Sequence, residues 1–134
     1  MATYFFLAGG RSVHTPSNSS AVMPIGRSPG VIHVLALTEA RLSHNLRFSD
    51  LAREAGQTPR TLARKLANET GMTWGQVLQK MRMIRAIELL AETTDPVTEV
   101  AFGVGYQSLS AFNAAFRAFT GQTPTAYRAG FARN

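Results

Sequence analysis

The sequence predicts an all-α fold: two helix-turn-helix subdomains joined by a long connector helix, about seven helices in all. Three observations carry that expectation. The chain repeats itself: Leu51-Ala52, Gly56, Leu62, Leu66 and Thr70-Gly71 return as Val100-Ala101, Gly105, Phe112, Phe116 and Thr120-Gly121. The turn glycines lie 49 positions apart and the stretch from Thr58/Ser108 to Thr73/Thr123 lies 50 apart, so the second turn is one residue longer. Each copy reads as a short helix, a Gly-containing turn, a capped second helix and a Gly stop, the layout of a helix-turn-helix. From Val31 onward the apolar residues follow helical spacing, with no alternating strand segment. The chain is also basic, with 14 Lys and Arg against 8 Asp and Glu, net charge +6 and pI near 10.8. That balance suits a polyanionic partner.

Residues 1–30 differ from the rest. Gly9-Gly10, Pro16, Ser17, Asn18, Ser19, Ser20, Pro24, Gly26, Ser28, Pro29 and Gly30 leave no useful period, and Arg11 and Arg27 are the only charged side chains. This reads as a flexible tail or linker remnant, with a basic arm tracking phosphates as the other reading. Residues 31–134 form the double helix-turn-helix domain: a first unit over about 31–72, a connector over about 74–93 and a second unit over about 96–132.

A first helix is expected from about Val31 to His44, with Ile32, Leu35, Ala36 and Leu42 on its buried side. Ser49 reads as the cap of a short helix with Asp50 in its first turn, a carboxylate near the positive helix end. Leu51, Ala52 and Ala55 are its apolar positions. Gly56-Gln57-Thr58 is the turn, and Thr58-Pro59 is a cap followed by proline at the first helical position. That helix stops at Gly71. The connector carries Trp74, Val77, Leu78, Met81, Met83, Ile84, Ile87, Leu89 and Leu90, a face too wide for one partner, so it packs against both units. Its roughly 20 residues span about 30 Å. Asp95-Pro96 breaks the chain. A helix over about 97–104, the Gly105-Tyr106-Gln107 turn and a helix over 108–120 make the second unit. Pro124 opens a last helix with Tyr127 and Phe131.

At 134 residues and 45% hydrophobic, the chain buries a real interior as one domain or two small subdomains sharing a core. There is no cysteine, which removes disulfides and thiol metal sites and fits a reducing cytoplasm. No apolar run approaches the roughly 18 residues of a membrane span. Tyr4-Phe5-Phe6-Leu7-Ala8 is too short for a signal-peptide core and has no cation ahead of it. His14, His33 and His44 lack metal-ligand spacing, and no nucleophile elbow, P-loop or dinucleotide motif is present. Neither an enzyme, a cofactor, a metal nor a membrane is expected.

Function is expected on the outward face of each second helix, since Leu62, Leu66, Phe112 and Phe116 face inward. The first carries Arg60, Thr61, Arg64, Lys65 and Asn68; the second carries Leu109, Ser110, Asn113, Ala114 and Arg117. A helix in the major groove reads base edges from its first two turns. Arg pairs with guanine O6/N7 and Asn with adenine N6/N7, chemistry that Arg60, Arg64 and Asn113 possess. Thr58, Ser108 and Arg117 sit where phosphates are held, and Thr61 and Lys65 join them as phosphate-contacting candidates. The competing reading is a helical protein-interaction module, with RNA polymerase a candidate partner, in which these cations are ordinary solvated surface.

At this point the chain resembles a known family. Leu62-Ala63-Arg64-Lys65-Leu66, Glu69-Thr70-Gly71, Leu78…Arg82…Ala86…Leu89-Leu90, Val100-Ala101…Gly105-Tyr106, Ser108…Phe112…Phe116 and Gly121-Gln122-Thr123-Pro124…Tyr127-Arg128 resemble the DNA-binding domain of AraC/XylS-type transcription regulators. The similarity covers about Val31 to Arg128. It implies seven helices and two recognition helices in successive major-groove segments of double-stranded DNA. By position it implies base contacts from Arg60, Ala63, Arg64, Ser110, Asn113 and Ala114, and it favours activation of transcription. Leu66 stands where the family commonly has Phe, and Ala114 where a longer polar residue is common, so the second unit looks short of base contacts. Such regulators usually carry a sensor or dimerisation domain, whereas about 30 linker-like residues precede this one, so ligand sensing is not inferred.

Overall fold

The computed structural model describes residues 21–132. Residues 1–20 of the N-terminal tail, with Arg11, and the last two residues lie outside that range. Seven helices follow in order: α1 Pro29–Ala40, α2 Phe48–Glu54, α3 Pro59–Thr70, α4 Trp74–Glu92, α5 Val97–Gly103, α6 Leu109–Thr120 and α7 Pro124–Ala132. There is no strand among the described residues.

The second helix of each unit starts on a hydroxyl and stops on a left-handed glycine. Thr58 Oγ1 accepts the Thr61 amide at 3.2 Å and Ser108 Oγ accepts the Ala111 amide at 3.1 Å. Gly71 (φ 75°) and Gly121 (φ 83°) end α3 and α6, a backbone conformation that L side chains resist. The helix after each stop is capped too. Thr73 and Gln76 form a reciprocal capping box on α4, and Thr123 accepts the Ala126 amide on α7. These local signals set the element boundaries.

Two cores share the connector. The first joins Val31, Val34, Leu35, Leu42, Leu51, Ala52, Leu62, Leu66, Val77 and Met81, with Phe48 and Trp74 packed on its edge, ring centroids 5.5 Å apart. The second joins Met83, Ala86, Leu90, Val100, Ala101, Val104, Phe112 and Phe116, with Tyr106 and Tyr127 against it. As expected, α4 gives one stretch of its surface to each. Outside α4, no helix of the first unit packs extensively on one of the second.

Three expectations need correction. α1 starts at Pro29 and ends at Ala40, so His44 lies beyond it. Its buried face is Val31, Val34, Leu35 and Thr38, while Ile32 is half-exposed and Ala36 exposed. Thr38 is the reason: its hydroxyl donates to Val34 O at 2.7 Å and accepts Trp74 Nε1–H at 3.1 Å. A polar residue so satisfied costs little to bury, and it rotates the helix away from the purely apolar choice. Ser49 is not a cap, because α2 begins at Phe48 with Arg47 ahead of it and no side-chain cap. The packing of the Phe48 ring on Trp74 holds that start instead. Lys80 of α4 is also buried, and desolvation pushes its ammonium pKa down.

Candidate nucleic-acid interface

Helix α3 turns Leu62 and Leu66 fully into the first core, which by helical geometry leaves the opposite side to solvent. Arg60, Ala63 and Arg64 are exposed there, and Thr61 and Lys65 are half-buried on its flanks. Helix α6 repeats the arrangement with Phe112 and Phe116 inside. Ser110, Ala114 and Arg117 are exposed and Asn113 is half-buried. The six base-facing candidates therefore lie on the outer surfaces of the two repeated helices, three on each.

The electrostatics of the two faces differ. Among the described residues the ion pairs are Arg41–Glu54, Arg53–Asp50 and Arg85–Glu88. None engages Arg60, Arg64, Lys65 or Arg117, whose charges remain available to a partner. The one acid of α3, Glu69, is turned away. Its carboxylate accepts the backbone N–H of Arg27 at 2.6 Å and of Ser28 at 3.0 Å, at the start of α1. Those two amides hold its pKa down at about 2. α3 thus offers three cations and no competing carboxylate, while α6 offers Arg117 alone.

The two caps keep donor capacity. Thr58 and Ser108 use their oxygens as acceptors for helix amides, so each O–H is left to donate outward. Both hydroxyls are exposed, at helix ends where unsatisfied amides and the helix dipole favour an anion.

Sequence reasoning assigned no role to three residues that hold this surface in place. Glu69 ties α3 to the segment entering α1. Arg82 of α4 donates to the backbone carbonyls of Leu42 and His44. Arg128 of α7 donates from Nε to Leu90 O at 3.1 Å and from Nη1 to Asp95 O at 2.6 Å, fastening α7 to the end of the connector. Their partners are main-chain groups 33 to 42 residues away. The only trace in the sequence was that all three stand within the resemblance pattern.

Comparison with known proteins agrees with this geometry. A family model described as a helix-turn-helix domain matches residues 51–130. The HTH-type transcriptional regulator VqsM of Pseudomonas aeruginosa is 42% identical over 72 residues, covering 54% of this chain and 22% of that protein. The HTH-type transcriptional activator RhaS of Escherichia fergusonii is 31% identical over 98 residues, 73% of this chain and 35% of that protein. The DNA-binding domain of AdpA, a global transcriptional factor solved in complex with a target DNA, superposes with a TM-score of 0.74 at 32% identity, covering 80% of this chain and 97% of that one. The chain spans about a third or less of the length of these two curated relatives.

Proposed function

The chain belongs to the AraC-type helix-turn-helix family, and we propose that it binds double-stranded DNA sequence-specifically through α3 and α6 in adjacent major-groove segments to regulate transcription. The observation that carries this reading is the pair of capped helices whose outer faces hold cations with no ion-pair partner among the described residues, joined by one continuous helix. In it Arg60 and Arg64 read bases, each with the bidentate geometry suited to guanine. Ala63 and Ala114 offer methyl contacts, and Ser110 and Asn113 supply the polar contacts of α6. Thr58, Thr61, Lys65, Ser108 and Arg117 hold phosphates and set the register.

The connector's 19 residues span about 28 Å at 1.5 Å per residue, against the 34–36 Å of one DNA turn. Both helices then reach one face of an asymmetric site of about 20 base pairs as a monomer. A modest DNA bend makes up the difference at a cost of a few kcal/mol. The relative RhaS is named an activator, which favours activation here and with it a contact to RNA polymerase. A chromosomal partner implies work in the cytoplasm, as a binding module rather than an enzyme.

The test is selection of bound sites from a random DNA library, followed by affinity measurement at several salt concentrations. Lys65 and Arg117, the two cations assigned to phosphates, imply a log–log slope of about −2 or steeper, since each neutralised phosphate contributes about −0.9. Protection of about 20 base pairs is expected. Failure to enrich any sequence, or an affinity nearly independent of salt, contradicts the reading.

A further inference from the structure

We propose that Arg82 is a positioning residue that fixes the separation and phase of the two recognition helices, and so the spacing between the two halves of the DNA site. The inference rests on the reading of α3 and α6 as DNA-binding helices. Its basis is the junction where the middle of α4 meets the α1–α2 loop and the turn before α6.

Arg82 stands in the middle of α4. Its Nε and Nη2 donate to Leu42 O at 3.3 and 3.2 Å, and Nη2 also donates to His44 O at 3.2 Å. These carbonyls belong to the loop between α1 and α2, in the first unit. The same guanidinium lies 5.8 Å from the ring centroid of Tyr106, in the turn of the second unit. A half-buried guanidinium cannot shed its proton, so it demands compensation, which the carbonyls and the ring face supply. One side chain therefore joins the first unit's loop to the second unit's turn.

Gly105 makes this approach possible. Its φ is 104°, and a Cβ built there runs into the Leu42 carbonyl oxygen and comes within 2.7 Å of Arg82 Nε and Nη2. The other positive-φ glycines, Gly56, Gly71 and Gly121, have nothing within 4 Å of such a Cβ. Gly56 is the matching turn glycine of the first unit, so the close approach is a property of the junction and not of the turn. From Tyr106 the contact continues into the recognition helix: its ring meets Phe112 edge-on at 5.6 Å, and Phe112 meets Phe116 at 5.7 Å.

Among the described residues two contacts couple the units at this junction: the Arg82 guanidinium and the approach of the Gly105 backbone to the Leu42 carbonyl. The helices of the two units meet extensively only through α4. Around Arg82 the junction is an open groove of about 410 Å³ lined by Ser43, His44, Asn45, Phe102, Tyr106 and Gln107. Beside that groove the guanidinium is the one side chain that bonds the first unit's loop carbonyls and also meets the second unit's Tyr106.

Two measurements test the proposal. The chain has no cysteine, so spin labels on Ala67→Cys and Ala118→Cys, both at exposed positions on α3 and α6, report the distance between the helices without DNA. Wild type gives one narrow distribution, Arg82→Ala a broad one and Arg82→Lys an intermediate one. In parallel, Arg82→Ala binds single half-sites as wild type does. It binds the tandem site about tenfold or more weakly, because a floppy link forfeits effective concentration, and it accepts half-site spacings that wild type rejects. A distance distribution as narrow as wild type overturns the proposal. So does an equal loss on half-sites and tandem site, which marks a role in stability alone. If Arg82→Ala loses its helical circular dichroism, Arg82→Lys carries both measurements and is read by the same outcomes. Wild type binding no DNA, with labels still narrowing the distribution through Arg82, removes the DNA reading and leaves a protein-geometry role that contradicts the proposal as stated.

Discussion

The two helix-turn-helix units follow one backbone plan with different chemistry. The first core is aliphatic around α3, built on Leu51, Leu62, Leu66 and Val77. The second is aromatic around α6, where Phe116 meets Phe112 and Tyr127, and Tyr127 meets Phe131. Outside, α3 carries Arg60, Arg64 and Lys65, whereas α6 carries Arg117. Position 69 in the first unit is a glutamate that anchors α1; its repeat equivalent is Phe119, packed against the second core. The difference teaches that repeating a fold does not repeat a task. In the proposed reading the first unit is the principal reader of sequence and the second mainly holds the register.

The largest expected effect lies in the cores. Phe116→Ala removes two ring contacts at once and should cost about 3–5 kcal/mol, against about 2–5 for Leu66→Ala in the first. Urea unfolding followed by circular dichroism compares them. A Phe116→Ala cost below that of Leu66→Ala would break the contrast between aromatic and aliphatic cores.

A smaller effect sharpens the comparison of the turns. Gly56→Ala meets open space and bears only the left-handed backbone cost, about 1 kcal/mol. Gly105→Ala bears that cost and displaces the Leu42 carbonyl and Arg82 as well, for a total of about 2–3 kcal/mol. Equal midpoints for the two variants would show that the junction yields without resistance.

The smallest effect is a pH dependence confined to the first unit. Glu69 has a folded pKa of about 2, below its ordinary 4.5. Its contribution is therefore complete above about pH 4.5 and is lost as pH falls toward 2. Glu69→Gln should flatten the acid limb of the stability curve, and amide exchange at the start of α1 should report it first. An unchanged acid limb in that variant contradicts the assignment.

Much of this architecture was legible because its signals are local. Thr58 and Ser108 mark helix starts by accepting amides three residues on, Gly71 and Gly121 mark helix ends by donating to carbonyls four residues back, and the repeat supplied the pairing of elements. The outward placement of Arg60 and Arg64 followed from the burial of Leu62 and Leu66 by helical geometry alone. Long-range compensation was not legible. Thr38 is buried because Val34 O and Trp74 satisfy its hydroxyl, which apolar periodicity does not register. Arg82 and Arg128 bind main-chain carbonyls, and a carbonyl leaves no mark in a sequence. The glycines Gly56 and Gly105 read alike, yet only one of them faces another unit's backbone.

The central claim is that the first unit is the principal reader. Sites selected from a random library by Arg64→Ala and by Asn113→Ala, set beside wild type, test it most directly. Each good bidentate contact is worth about 1–3 kcal/mol of discrimination. Arg64→Ala should lose that much affinity for the wild-type site and its preference at one or two base pairs of one half-site. Asn113→Ala should leave the selected sequence nearly intact, because α6 is proposed to work mainly through phosphate contacts, at Ser108 and Arg117. A selection in which losing Asn113 erases more sequence information than losing Arg64 would contradict the account.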